Sequence, residues 1–507
     1  MRPLLSSGLF AAFLGFNLAA FAQGARSAGV TGPSTTTAPY LEPLAPGVSF
    51  VSVLTSGDMV GQKPDGTPWR MVGAPDGLGA FDNGDGTITV LMDHEIGPNT
   101  GVTRAHGAAG AFVSKLVIDK ATLRVISGDD LIKQVKAYDP ETGRYDVSTA
   151  PLGKLCSADL AGGSAFFDAQ SKSGYDGRIF LSGEERDPEG RPFAHIVTGE
   201  EAGTSYELAW LGNMAFENLV AHPLAGRQTI VAMMDDSHPL GQVYFYIGEK
   251  RTSGDPIQKA GLSHGRLYGL KREDTPVEPT DRTPDAARFS LVDLGDVSKL
   301  SGKELDALSK AQGVTDFQRP EDGAWDTVDP NRFFFNTTAA FDLPSRLWAV
   351  AFDDVAHPER GGMIRPLLDG SDKLVPKGAS APYHMLDNMT VAANGQLLLQ
   401  EDPGRNAYLP HVLQYDPKTN DLTALAAFAG KLIRKREDGG LTEDAESSGI
   451  IDVTPLFGAP GTRAFLLTAQ AHFAFDPPGG KGEIVQGGQL LLMRQETAPE
   501  ASLSQLR

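Results

Sequence analysis

Six short stretches place an acid or a thiol just ahead of small residues and an apolar run. They are PDGLGAF at Asp76, CSADL at Cys156, FENLVAH at Glu217, PEDGAWDTV at Glu321, LDNMTVA at Asp387 and ESSGIIDV at Glu446. Carboxylates alone suit calcium, and an added thiolate favours a softer ion such as iron or zinc beside it. Gathered at one place, these acids would cost roughly several kcal/mol for each buried unpaired charge unless cations neutralised them. Taken singly, each also fits a turn or a loop cap held by backbone hydrogen bonds. Their recurrence in phase is what favours a metal centre.

A second unit follows each of these after a turn: four or five apolar residues that end in polar, ligand-type groups. It reads TVLMDHE (89–95), RIFLSGEE (178–185), TIVAMMDD (229–236), RFFFNTT (332–338), QLLLQED (396–402) and AFLLTAQAH (464–472). Paired apolar runs joined at Gly, Asn or Asp-Pro turns are hairpin signals. Repetition of such units is the mark of a radial architecture. The expected fold is therefore all-β, a six-bladed β-propeller with loop and short-helix insertions, in which the first strand of each blade lines the central channel. VSFVSVL (48–54) is expected to close the ring by joining the last blade. A double-sheet sandwich is the alternative, but it leaves the recurrent polar strand ends unexplained.

The elements that must carry this ring divide the 507 residues. Arg2 ahead of the apolar stretch Leu9 to Ala20, and Ala20-Phe21-Ala22 before Gln23, read as a signal peptide over 1–22. Export to a periplasmic or extracellular space follows, by general secretion, since no twin-arginine pair is present. Residues 23–45, rich in Gly, Ser, Thr and Pro, read as a flexible leader. The propeller is expected over 46–495, with an insertion at 272–316, and 496–507 as a tail. Helix is expected at Ser301 to Ala311, with Ser301 as N-cap. No later run is long enough to span a bilayer. The net charge of −19 argues against a nucleic-acid partner, which needs a basic footprint. Cys156 is the single cysteine, so it has no internal disulfide partner.

Other motifs weigh less. Gly261-Leu262-Ser263-His264-Gly265 matches the nucleophile-elbow pattern, but a strand rather than a helix is expected after it. FDNGDGT (81–87) lacks the spacing and the distal glutamate of a calcium loop and reads as a hairpin turn. His94-Glu95 lacks the second histidine of a zinc-protease helix. The acceptor patterns at Asn336 and Asn388 fall in strands expected to be buried.

The order of motifs resembles that of the PhoX-type alkaline phosphatases, secreted six-bladed propellers that hydrolyse phosphate esters using calcium and iron. The resemblance covers about residues 70 to 475. It is carried by Asp93-His94-Glu95, Cys156 with Gly162-Gly163, Gly183-Glu184-Glu185 and Phe216-Glu217. It continues through Arg319-Pro320-Glu321, Asp387 in LDNMTV, Glu446 in ESSG and Gln470-Ala471-His472. It implies that Cys156, Glu217 and Glu321 hold metal, with Glu95, Glu185, Asp387 and Glu446 completing the set. Arg319 would grip the phosphate, and Arg319 and Glu321 would carry catalysis. Calcium is the expected metal, with Fe3+ held through Cys156 as a further expectation. An arginine fork can take two phosphate oxygens at once, and a metal pair can polarise a P–O bond. The expected protein is thus a monomeric, metal-dependent phosphomonoesterase acting on a small phosphate ester. A lactonase or esterase on the same fold, and a non-catalytic calcium-stabilised binding propeller, are the alternatives.

Overall fold

Short apolar runs bounded by Gly, Asp and Asn turns fold into strands almost throughout, and the fold is all-β. The computed structural model describes residues 29–63, 66–224, 226–474 and 482–497. The expected signal segment 1–22 lies outside the described residues, as does the expected tail beyond 497.

Each opening motif is a strand: Pro75–Asp82, Leu155–Asp159, Phe216–Ala221, Pro320–Trp325, Leu386–Val391 and Ala445–Asp452. Each pairs antiparallel with its closing motif, and these strands are Thr87–His94, Ile179–Glu184, Gln228–Asp235, Arg332–Thr337, Leu397–Glu401 and Thr462–Ala474. Further strands continue each pair outward. Every opening strand packs against the opening strands before and after it, and the last packs against the first, so the six form a closed ring. They crowd at the axis: a Cβ on Gly77 would stand 2.3 Å from the Ala158 nitrogen, and one on Gly449 would stand 2.2 Å from the Asp76 carbonyl oxygen. That crowding accounts for the small residues after the acid in the opening motifs.

Ring closure uses Val48–Thr55, which pairs antiparallel with Gln486–Glu496 (Phe50 opposite Met493), as the sequence led us to expect. Apolar residues pack between neighbouring sheets. One such cluster holds Phe245, Trp325, Phe333 and Phe352, and another holds Val90, Leu116, Leu466 and Leu492. Burying each such side chain contributes about 1.5–3 kcal/mol.

Residues 29–45 correct the expectation of a flexible leader. Val30–Thr31 pairs with Val48–Thr55, and Leu41–Pro43 pairs with Asp421–Phe428. Tyr40 and Leu41 are buried, and the Tyr40 N–H donates to Gln489 Oε1 at 2.7 Å. The Gly, Ser and Pro residues there supply turns between short pairing segments rather than slack. At the other end, the last strand reaches Glu496, one residue into the expected tail.

Within 272–316, strand Ala287–Gly295 pairs with Arg266–Arg272 on one side and with Gly362–Asp369 on the other. It joins the third and fourth strand groups into one nine-stranded sheet. Helix Gly302–Gln312 follows, with Ser301 as N-cap in a capping box with Glu304 and left-handed Gly313 at its end, the stop signal such helices use. Among the described residues no helix is long and apolar enough to cross a membrane.

Candidate metal centre

The register of the hairpins explains how the opening acids reach the axis. Pro75 faces His94, and the next facing pair is Leu78 with Met92, so the opening strand advances three residues while its partner advances two. The same bulge recurs at Leu155/Ala158, Phe216/Leu219, Pro320/Gly323 and Leu386/Met389. In each case the residue just inside it is the ligand type: Asp76, Cys156, Glu217, Glu321 or Asp387. A bulge leaves one residue unpaired and re-aims its side chain. In the sixth hairpin Glu446 pairs with Gln470, and the shift falls later, between Ser448 and Ile450.

A second repeat sits one step above. The last residue of each closing motif donates its N–H to the carbonyl two residues before the opening acid or thiol. The pairs are Glu95 to Ala74, Glu185 to Lys154, Asp236 to Ala215, Thr338 to Arg319, Asp402 to Met385 and His472 to Asp444, all at 2.8–3.0 Å. Four of these acceptors (Ala74, Lys154, Arg319 and Met385) have positive φ, a region side-chain-bearing residues seldom enter.

These three positions enclose a cavity of about 210 Å³ lined by thirteen residues. Six are the opening residues Asp76, Cys156, Glu217, Glu321, Asp387 and Glu446. Five are the closing ends Glu95, Glu185, Asp236, Asp402 and His472. The remaining two, Lys154 and Arg319, come from the left-handed position. The structure thus brings together Arg319 and all seven residues expected to hold metal. It adds Asp76, Asp236, Asp402, His472 and Lys154 to that set. Asp236, Asp402 and His472 were signalled by the closing-motif phase that also gave Glu95 and Glu185. Lys154 carried no motif of its own. Asp93 and His94 do not line the cavity: His94 is buried, bonded to the Gly73 carbonyl and Ser114 Oγ, and stacked on Phe112.

Nine carboxylates therefore face two fixed cations and one histidine. Lys154 Nζ lies 3.1 Å from Glu95 and 2.6 Å from Glu185. Arg319 Nη2 lies 2.5 Å from Asp236 Oδ2 and 3.2 Å from Glu321 Oε1, while its Nε is buried without a hydrogen-bond partner. His472 pairs with Glu446 at 3.8 Å. Burial opposes protonation of that ring, but Glu446 and Glu95 push it up to about 10. Burial also acts on Glu446, yet His472 holds its carboxyl below the ordinary value.

Several of the other acids are pushed the opposite way. Burial, with Glu446 and Glu95 alongside, raises Asp76 well above the carboxylate range. Burial followed by the charges of Asp387 and Glu321 does so for Glu217, and burial with Glu321 and Glu446 for Asp387. Burial with Asp236 raises Glu321. Burial and the charge of Glu217 raise the Cys156 thiol, whose Sγ lies 3.6 Å from Asp76 Oδ2. Glu185 rises to about 8 through burial, even with Lys154 beside it.

Cations would relieve this frustration, and the donor geometry fits them. Four triads have ligand atoms within 4.8 Å of one another: Asp76–Glu95–Cys156, Cys156–Glu185–Glu217, Glu217–Glu321–Asp387 and Asp387–Asp402–Glu446. Successive triads share Cys156, Glu217 and Asp387, so the candidate ligands form a continuous arc. Asp76 Oδ1 and Asp236 Oδ1 are buried without a hydrogen-bond partner, which leaves them free to bind an ion.

The motifs set aside in the sequence stay outside the cavity. Ser263 is preceded by helix Pro256–Lys259 and followed by strand Arg266–Arg272, the reverse of an elbow. Asn336 and Asn388 are buried.

No family model matches the chain, and no curated protein matches its sequence. Among solved structures, Pseudomonas fluorescens PhoX in complex with vanadate, a transition state analogue, superposes with a TM-score of 0.63 at 11% identity, over 92% of this chain and 98% of that one. A Trypanosoma rangeli sialidase mutant displaying trans-sialidase activity gives 0.33 at 9% identity, over 89% of this chain and 59% of that one. Sqt1 from Chaetomium thermophilum gives 0.33 at 10% identity, over 90% and 100%. The last two are too distant to bear on the fold; the first shows that the chain has a PhoX-like fold.

Proposed function

We propose that the chain is an exported six-bladed β-propeller whose axial cavity is a metal-dependent phosphomonoesterase site. One observation carries this reading: nine carboxylates and the only thiol of the chain converge on a single cavity that also holds Arg319 and Lys154. The likeness in fold to a vanadate-binding PhoX supports the choice of a phosphate ester over other substrates. The two triads containing Cys156 suit a softer ion such as iron, and the two all-carboxylate triads suit calcium.

Cations held there would polarise the ester and offset the charge of an arriving phosphate. Glu321 and Asp236 fix the guanidinium of Arg319 from one side and leave its buried Nε unpartnered. A phosphate oxygen accepting from that N–H would gain a charge-assisted hydrogen bond. Lys154, tethered between Glu95 and Glu185, places a second positive charge at the cavity wall. Five of the six opening residues are aimed inward by the bulges before any ligand arrives, the preorganisation that electrostatic stabilisation uses.

Metal analysis of the purified protein, with p-nitrophenyl phosphate turnover before and after chelation, tests the reading. Calcium with turnover, lost on chelation and reduced at least a hundredfold by Arg319→Ala at unchanged melting temperature, supports it. Calcium without turnover of phosphate or lactone esters refutes it in favour of a calcium-stabilised binding propeller. Lactone turnover alone refutes it in favour of a lactonase.

A further inference from the structure

His472 lines two cavities. Besides the axial one, it forms part of a groove of about 460 Å³ whose other walls include Arg405, Asn406, Ile433, Thr442 and Asp444. Its volume lies within the range of about 300–1,000 Å³ usual for small-ligand sites. Both of its charged anchors are set by the ring. Asp444 accepts the His472 N–H at 2.9 Å, as the sixth member of the repeated bond described above. Arg405 stands three residues beyond Asp402, whose Oδ1 accepts the N–H of Gly404 at 2.9 Å. The groove therefore lies beside the fifth and sixth sectors of the cavity, with His472 as the shared wall.

The groove's chemistry narrows what that alcohol is. Arg405 Nε is paired with Asp444 at 2.9 Å, and His472 is paired with Glu446. Glu443, also in the wall, has no ion-pair partner among the described residues. Among the described lining residues no positive charge is left over to select an anionic group. None of the described lining residues is Phe, Tyr or Trp, so a nucleobase or an aryl ring has no flat apolar surface to stack on. What remains is a mixed wall of donors and acceptors (guanidinium, amide, hydroxyl and carboxylate) beside Ala407 and Ile433. Hydroxyl groups, which donate and accept at once, match it.

We infer that this groove is a leaving-group subsite for an uncharged, hydroxyl-rich alcohol, making the preferred substrate a sugar or polyol monophosphate. This rests on the phosphomonoesterase reading.

The test compares kcat/KM of the metal-loaded full chain for a hexose 6-phosphate, a nucleoside monophosphate and methyl phosphate, which has no group to place in the groove. The hexose ester is expected to exceed both others at least tenfold. Ile433→Trp, which fills the groove, and Arg405→Ala, whose side chain is 83% exposed and so not needed for folding, are each expected to bring the ratio of hexose to methyl ester to within threefold of one. A wild-type ratio near one, a preference for the nucleotide, or a ratio unmoved by both variants overturns the subsite while leaving the phosphatase standing. Failure to turn over any of the three esters refutes the phosphatase and the subsite with it.

Discussion

In the proposed metal centre, removing the cations would turn the cavity into a pH-dependent weakness of the fold. Glu185 has an ordinary value of 4.5 and is raised to about 8 when no metal is present. Between those values the folded chain holds a proton that the unfolded chain has released, so stability is lost as the pH climbs through that window. Each tenfold change in proton affinity is worth ~1.4 kcal/mol, which puts the loss at Glu185 alone on the order of 3–5 kcal/mol by pH 8. Asp76, Glu217, Glu321, Asp387 and Asp402 are raised too and act with the same sign. His472, raised to about 10, also loses its contribution as the pH rises from about 6.5. Among the groups that oppose them, the buried His94 and His195 are each lowered to about 3 by burial, and burial also lowers His106, His222 and His264. Their effect favours folding as the pH rises, but it is complete by about pH 6.5. Asp159 and Asp235, raised to about 7, and Lys250, lowered to about 8, lie outside the cavity and act alike with or without metal. The difference between chelated and loaded protein over pH 6.5–8.5 therefore reports the ring. Against a total stability of ~5–15 kcal/mol, the chelated protein is expected to melt at steadily lower temperature across that window. The calcium-loaded protein is expected to change little. Thermal melts in matched buffers with EDTA or calcium measure it. Chelated and loaded samples melting together, with the same pH slope, would show that the acids are neutralised some other way and would sink the metal centre.

Three further perturbations separate the parts. Cys156→Ser removes the only soft donor, so metal analysis is expected to show iron or zinc lost and calcium kept; equal loss of both would contradict the division of the arc. Lys154→Met takes away the charge that holds Glu185 down, so the chelated protein should fall further in melting temperature between pH 6.5 and 8.5 than the parent, and an identical slope would refute that pairing. Arg346 is fully buried between Glu278 (2.6 Å) and Asp369 (3.1 Å). Arg346→Met strands two buried carboxylates at a cost of about 3–5 kcal/mol, read by chemical denaturation. Replacing Glu278 by Leu in the same chain should recover part of that cost, and a double variant no better than the single would show that the pair is not coupled.

The acids of the opening motifs could be found in the sequence because each sits at a fixed offset before an apolar strand, and the bulge converts that offset into a direction. Glu95 and Glu185 were found for the same reason at the closing ends. Asp402 and Asp236 carried no motif of the resembled family, and each, like Glu185 beside Glu184, has a second acid next to it (Glu401 and Asp235); only the bond from the last N–H to the carbonyl before the opening acid decides which one faces the axis. Lys154 could not be read at all. Its role depends on a left-handed backbone at a position where the other hairpins place Ala74, Ala215 or Met385. The ordered pairing of residues 29–45 was hidden by composition, because Gly, Ser and Pro serve equally for slack chain and for turns between two-residue strands.

The exceptions to the repeat give the cavity its polarity. Five of the six closing ends are charged or ionisable, and the sixth is Thr338, buried and outside the cavity lining. In that same hairpin the left-handed position carries Arg319, whose carbonyl receives the Thr338 N–H. The fourth sector thus lacks the closing acid and gains a guanidinium, while Asp76, Glu95, Asp402 and Glu446 crowd sectors one, five and six. An anion approaching a ring of acids meets the least repulsion where a closing acid is missing and a cation is supplied, as at Arg319 in the fourth sector and at His472 in the sixth. Of the two, Arg319 keeps a buried N–H without a hydrogen-bond partner, whereas both ring nitrogens of His472 are engaged, by Glu446 and Gln486. In a strictly regular ring the metals would have no preferred side for a phosphate. Under the proposed phosphatase reading, the departure in the fourth repeat would supply one, and it would leave the alcohol of the ester to the sectors that border the groove at His472.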